Sequence, residues 1–465
     1  MIERHRMPAV LLLTAALLAA AAALAAVAPP ADARVVPGDT IWSRAFSASS
    51  LGDAFMDVAR GPGDVLYCVG LTRATEESNS LVLVKYKAGG VKAWAQTYQW
   101  PGRPGSAGAA VEVDHSGNVL VAGSIGVSPL SSSTGRDIVV LKFAPSGERL
   151  WVCTYDGPAH KDDYPTDMAV DSGGTAYVVG TSRGVSTGQD YALIAVRSDG
   201  ELKWTYRYAG PVMFDYPNAI ALDDNASSYI TGSSEGAGGA YTAATVKVSH
   251  AGHQVWVKRL QYGNGITHGN DIAFKKVGGN KRIYICGGAM GSASTKMDLL
   301  VARISATTGA KVKDAEVDRS GDDDLGRALV VDDAGDAYAV GETITPPAIV
   351  SHALVARVNG NASVAWSREL SLVSVDNEAS FQCVALSAGN LFCGGYAVEA
   401  GSGPQFVVQS VSTANDYRWV NITSGSGLAD DFCRAIVTRP GGVFAAGQVT
   451  RTGSGIDGLL KKIAP

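Results

Sequence analysis

Beyond residue 33 the chain is a succession of short apolar or alternating runs, each cut off by a break rich in Gly, Ser and Thr. No stretch sustains a helical period, so strands are predicted almost throughout. One pattern recurs: an apolar strand ending in glycine. It appears at Cys68-Val69-Gly70, Val121-Ala122-Gly123, Val178-Val179-Gly180, Ile230-Thr231-Gly232, Ile285-Cys286-Gly287, Ala339-Val340-Gly341, Phe392-Cys393-Gly394 and Ala445-Ala446-Gly447. The glycines are 53, 57, 52, 55, 54, 53 and 53 residues apart. Short strands at such a period predict a β-propeller, and the 432 residues after residue 33 make eight units of 54.

Each unit reads as four strands, a to d. Strand a is clearest at Asp167-Met168-Ala169-Val170-Asp171, and a tight Ser172-Gly173-Gly174 turn leads to strand b. Strand c follows a looser loop, as in Asp137 to Lys142. Strand d carries tryptophan at Trp42, Trp94, Trp151, Trp204, Trp256, Trp366 and Trp419, with Val312 in the remaining place and Trp100 outside the series. The last unit stops after strand c, at Ile463. An orphan strand d, Ile41 to Phe46, stands at the start. The fold class expected is therefore all-β: an eight-bladed propeller of four-stranded blades, its ring closed by Ile41–Phe46 joining the last blade. Closure removes two long unpaired edges that would otherwise aggregate.

The first 33 residues have a different character. Arg4, His5 and Arg6 precede an apolar run, and Ala31-Asp32-Ala33 fits a small-x-small cleavage pattern. This reads as a secretory signal peptide over residues 1–33, leaving a single domain over 34–465. An uncleaved anchor is the alternative; the alanine-rich run and the cleavage pattern favour removal. The expected location is secreted or extracellular, with no membrane span in the mature chain. Net charge is −5 and charged residues are 18%, which gives no electrostatic case for nucleic acid and none for disorder.

Candidate chemistry is sparse. An acidic or amide residue precedes strand a at Asp53, Asp163, Asp215, Asn270, Asp324, Asn377 and Asp430, with Ser106 in unit 2. Its repetition favours a structural role, accepting backbone N–H groups of the d–a loop, over a ring of cation ligands. Asp114, Asp171, Asp223 and Asp332 read as turn residues. Lys85, Lys142, Lys247, Arg303, Arg357 and Lys462 share one place in strand c, broken by Ala195, and read as scaffold. The tryptophans are expected to pack between blades, each indole N–H finding one acceptor. Six cysteines allow 15 disulfide patterns, and no CxxC pair exists. His250 and His253 lie in a turn without further ligands nearby. P-loop and HExxH motifs are absent, so no cofactor is expected and the sequence leaves metal binding open. Asn225, Asn361 and Asn421 open glycosylation-type triplets.

The d–a and b–c loops emerge on one face and vary most. Ser124–Arg136 is the longest b–c loop. The segments 155–165 and 208–217 bring aromatic and polar groups together, so a ligand site there would use His160, Lys161, Asp162, Tyr164, Phe214 and Tyr216. The alternative is that Gly-Pro and Tyr-Pro merely shape the loops. Glu112 stands where other units have Ala169 and Ala221; facing the funnel, it would be either an acid–base group or a solvated channel residue.

The segments Asp167 to Ser182 and Val113 to Gly123 resemble the bacterial β-propeller repeat found in secreted and surface proteins, and the resemblance extends over residues 38–465. It implies an exported propeller and no particular activity. Gly147 to Trp151 and Gly200 to Trp204 are similar to the Gly-x-x-x-Trp pattern of eight-bladed quinoprotein propellers. Those enzymes carry an adjacent cysteine pair, which this chain lacks, so their activity is not implied. The reading is a secreted, monomeric, non-catalytic binding or scaffold module for a protein, a cell-wall glycan or a small molecule. The rival is an extracellular hydrolase, lyase or oxidoreductase with its site in the central funnel.

Overall fold

The computed structural model describes residues 36–465 except 76–77, 102–104, 127–134, 263–264, 291–295, 320–321, 346–349, 371–377, 400–401 and 427–429. The signal peptide expected over residues 1–33 lies outside the described residues. Eight antiparallel four-stranded sheets follow one another along the chain. The sole helix among the described residues is a 3-10 turn at Pro62–Asp64. In blade 3 the strands run Asp163–Val170, Ala176–Gly184, Gly188–Val196 and Leu202–Tyr208, paired in sequence order. The eighth sheet combines Phe432–Arg439, Gly442–Arg451 and Gly455–Ile463 with the first strand, Thr40–Phe46. That strand pairs antiparallel with Gly455–Ile463, setting Trp42 against Lys462 and Phe46 against Gly458.

The repeated glycine has a specific cause. Every strand a contains a β-bulge, for example between Phe55 and Asp57 in blade 1 and between Pro165 and Asp167 in blade 3. The glycine lies directly across from it. A Cβ on Gly180 would stand 2.1 Å from the Tyr164 carbonyl oxygen, and one on Gly341 would stand 1.9 Å from that of Leu325. No side chain fits there. In blade 7 the residue opposite the bulge is Gly395, paired with Phe381, so the period runs through Gly395 rather than Gly394.

The tryptophans latch a blade to the next, except in blade 5, where the register sets Lys313 opposite Arg303 in the place of a tryptophan. The indole N–H of Trp151 donates to Ser198 O at 3.0 Å, that of Trp204 to His250 O at 3.1 Å, and that of Trp366 to Thr413 O at 3.3 Å. Each acceptor belongs to the c–d turn of the following blade. The ring then lies on the turn glycine: Trp151 on Gly200, Trp204 on Gly252, and Trp419 on Gly38, which belongs to the chain's first segment. These glycines have φ of +95, +86 and +89°, so both backbone and space demand the residue. The strand-c cations use the same acceptors, with Lys142 Nζ 3.2 Å from Ser198 O and Lys247 Nζ 2.9 Å from Ala306 O.

The core lies between blades. One cluster joins Tyr177, Tyr191 and Leu193 of blade 3 to Ile220, Ile230 and Val246 of blade 4. Another joins Phe444 and Leu460 of blade 8, together with Phe46, to Phe55, Cys68 and Val82 of blade 1. Because each apolar face is buried only against a neighbour, the ring must close for every face to be covered.

Candidate functional site

The bulge gives strand a an extra residue on the inner side of the ring. Those eight residues are Met56, Ala109, Thr166, Asn218, Asn270, Arg327, Gln382 and Arg434. Their chemistry is lopsided. Asn218 donates to Gly269 O at 2.8 Å and Asn270 to Gly326 O at 2.7 Å. Arg327 pairs with Glu342, and Arg434 with the Gln448 amide. Met56 and Ala109 form the apolar side. A cavity of about 470 Å³ draws its lining from blades 1, 2, 3, 7 and 8, including Met56, Gln382, Tyr396, Phe432 and Arg434, which places it in the central channel.

Beyond the ring, strand a continues with a carboxylate in alternate blades. Asp57, Asp167 and Asp271 each accept two backbone N–H groups, one from the next residue and one from strand a of the following blade. For Asp167 these are Met168 N at 2.8 Å and Ile220 N at 2.9 Å; for Asp271, Ile272 N at 2.7 Å and Leu329 N at 2.8 Å. Burial still pushes Asp167 up to about 7 and Asp271 to about 6. Glu112 occupies the place held elsewhere by Ala59, Ala169, Ala221 and Ala273. Burial, followed by the charges of Asp57 and Asp167, pushes its carboxyl up to about 7.

The loop-face residues fall into two groups. His160 has φ of 50° and its Nδ1 lies 2.7 Å from Asp156 Oδ2, a hydrogen bond that raises its pKa. Lys161 is exposed beside it. Asp162 Oδ1 accepts the Arg136 N–H at 2.9 Å, and Arg136 lies over the Tyr164 ring at 5.4 Å. The second group is Phe214 and Tyr216, stacked at 6.3 Å with an interplanar angle of 6°. Tyr216 continues to Tyr241 at 6.5 Å and Tyr241 to His268 at 6.1 Å, while the His268 Nδ1 is 2.7 Å from Ser233 Oγ. Among the described residues no hydrogen bond or ring contact joins the two groups. Tyr164, Tyr216, His268 and Phe432 share one register place, immediately before the bulge proline, glycine or cysteine. The sequence reading missed Tyr241, His268 and the bulge ring; the ring is findable by counting three residues on from the strand-a acid.

That acid is a loop cap. The Asp53, Asp163, Asp215 and Asp324 carboxylates accept the N–H of Ala48, Gly157, Gly210 and Arg319 at 2.8, 2.7, 2.6 and 2.7 Å. The register corrects three members of the series. Blade 5 has Thr267 there, and Asn270 is its bulge residue; blade 8 has Asp431, one residue beyond Asp430. In blade 7 the place belongs to Ala379, and Asn377 lies outside the described residues.

Two equivalent junctions gather three carboxylates each, Asp137 with Asp156 and Asp163, and Asp298 with Asp318 and Asp324, their oxygens within 4.8 Å of one another. Among the described residues, these are the ones that could hold a metal. Burial and neighbouring carboxylates raise Asp163 and Asp298 to about 6 and Asp324 to about 7. At the junction between blades 3 and 4, Arg207 supplies the positive charge instead, 2.6 Å from Asp190. All six cysteines are free thiols, with Cys383 and Cys433 sulfurs 4.0 Å apart.

No family model matches the chain, and no curated protein matches it. Among solved structures it is similar to a periplasmic gluconolactonase of Pseudomonas aeruginosa, with 17% identity, 74% of this chain and 96% of that one covered, and a TM-score of 0.44. A puromycin hydrolase variant gives 12%, 90% and 63% coverage and 0.48. A protein of unknown function from Dyadobacter fermentans gives 10%, 92% and 100% coverage and 0.40. The class defined by the coordinates themselves is the eight-bladed β-propeller. Among the described residues no helix is long and apolar enough to cross a membrane.

Proposed function

We propose that the chain is exported through residues 1–33 and acts as a non-catalytic binding module, taking a protein, a cell-wall glycan or a small molecule on the face of its d–a and b–c loops. The observation that carries this reading is the aromatic run Phe214–Tyr216–Tyr241–His268. Phe214 is 41% exposed and Tyr216 is 39% exposed, although stacked rings of this size are normally drawn into a core. Flat faces with polar edges suit sugar rings and peptide side chains.

The test is a thermal-shift screen of glycans, peptides and metal ions against the mature chain, since a ligand raises apparent stability by mass action. A hit should lose its shift in Phe214→Ala and Tyr216→Ala. An unchanged shift in both would remove the site from this face. Tyr164→Ala reports separately on the His160, Lys161 and Asp162 group. One observation favours a second reading, an extracellular enzyme of the channel: Glu112, at about 7, is poised to give or take a proton near neutrality. Any turnover found by substrate screening should then vanish in Glu112→Gln.

A further inference from the structure

Two of the eight bulge residues are arginines, and their partners differ in charge. In blade 6, Arg327 directs Nε (3.2 Å) and Nη2 (2.5 Å) to Oε1 of Glu342. In blade 8, Arg434 directs Nε (3.4 Å) and Nη2 (3.1 Å) to Oε1 of Gln448. Glu342 and Gln448 hold the same register place, following the strand-b glycine. Gln448 is oriented in turn, its Nε2 donating to Asp430 O at 2.9 Å, which turns its oxygen toward Arg434. The amide thus positions the guanidinium without neutralising it. Among the described residues no carboxylate lies within ion-pair distance of Arg434. Burial in the channel lowers its pKa, with Asp430 acting in the opposite sense from further away.

Arg434 stays exposed to the channel, so its charge is open to an incoming anion. Among the described residues, the Nη1 and Nη2 edge, away from Gln448, makes no hydrogen bond. The surroundings are shaped for an organic body: Phe432 lies 5.4 Å under the guanidinium, Tyr396 meets Phe432 edge-on at 5.1 Å, and Met56 and Gln382 complete the wall. The volume, about 470 Å³, is within the range of small-ligand sites. A single fork of one positive charge matches a planar monoanion better than a phosphate dianion. We propose that the central channel binds a small organic carboxylate, its oxygens forked on Arg434 and its body against Phe432, Tyr396 and Met56.

This site goes beyond the loop-face reading and does not depend on it. Calorimetric titration of the mature chain would use benzoate and D-glucuronate, with benzamide and D-glucose as their uncharged counterparts and glucose 6-phosphate as the phosphate arm. At least one carboxylate should bind with one-to-one stoichiometry, and its uncharged counterpart at least tenfold more weakly. Gln448→Glu builds the Arg327–Glu342 arrangement at this place and should weaken that binding at least tenfold. Arg434→Gln should do the same, and it serves where Gln448→Glu folds poorly. Phe214→Ala should leave the affinity unchanged, separating this site from the loop face. The proposal is overturned if no carboxylate binds, if only the phosphate binds, or if either channel variant binds the carboxylate as the parent does.

Discussion

Glu112→Gln tests the electrostatics of the channel. The Glu112 carboxyl is raised from an ordinary 4.5 to about 7 by burial and by the charges of Asp57 and Asp167. Below the ordinary value both the folded and the unfolded chain carry the proton, and the site costs nothing. As pH rises from there to about 7, the unfolded chain ionises while the folded one resists, so stability falls. Above about 7 both are ionised and the whole penalty stands. A tenfold change in proton affinity is worth about 1.4 kcal/mol, so the gap from 4.5 to about 7 corresponds to about 3 kcal/mol. Glu112 keeps intermediate exposure to the channel, and solvent screening trims this to about 1–2 kcal/mol.

The amide keeps the shape and removes the charge. The variant should match the parent at pH 4 and exceed it by about 1–2 kcal/mol at pH 8. Asp57, Asp167 and Asp271 titrate in both proteins, so the difference between the two urea-denaturation series, followed by tryptophan fluorescence from pH 4 to 8, isolates Glu112. A difference that stays flat with pH, or one that favours the parent at pH 8, would show that the Glu112 carboxylate is stabilised where it stands, and the argument from burial would fail.

Three further outcomes are expected. Gly180→Ala drives a Cβ to 2.1 Å from Tyr164 O and should cost at least about 3 kcal/mol or abolish soluble expression, whereas Gly89→Ala, with nothing within 4 Å, should stay within about 0.5 kcal/mol. Trp204→Phe removes the 3.1 Å bond to His250 O and should cost about 1–2 kcal/mol in urea denaturation. Deleting residues 34–50 strips the partner from Gly455–Ile463 and removes Gly38 from under Trp419, so the product should be aggregated or thermally labile on size exclusion and calorimetry; a deletion variant as stable as the parent refutes the need for closure.

The parts of the fold legible in the sequence are those where geometry admits one residue type. Gly180 and Gly341 repeat because a carbonyl oxygen occupies the place of their Cβ, and Gly200 and Gly252 because an indole lies on them. Their spacing therefore counts the blades. The channel is not legible in this way, since the bulge position asks only that a side chain point inward. Met56, Thr166, Asn270 and Arg434 share it without sharing chemistry. The shift in register at the bulge also hides the alignment of neighbouring polar residues, so that in sequence Asn270 resembles a cap although it is the bulge residue. In blade 7, Gly394 and Gly395 are adjacent, and only the pairing with Phe381 distinguishes them.

The residue just past the bulge carries a longer rhythm than the blade. It is Asp57, Ala110, Asp167, Ala219, Asp271, Ala328, Cys383 and Ala435 in order around the ring. Each aspartate reaches the N–H following the next blade's alanine: Val111 from Asp57, Ile220 from Asp167 and Leu329 from Asp271, all at 2.8–2.9 Å. The structural unit is thus a pair of blades bridged by a carboxylate, and the fourth pair puts Cys383 where the carboxylate would be, 4.0 Å from Cys433. A thiol is a weak hydrogen-bond partner, and at this place in the wall it stands without the carboxylate that the other three pairs carry. Arg434 projects from the same strand as Cys433, so the one quadrant lacking an aspartate is also the one where an arginine faces the channel beside a neutral amide. Relative to a strictly repeated ring, both changes make the potential there more positive, in the sense an incoming anion requires.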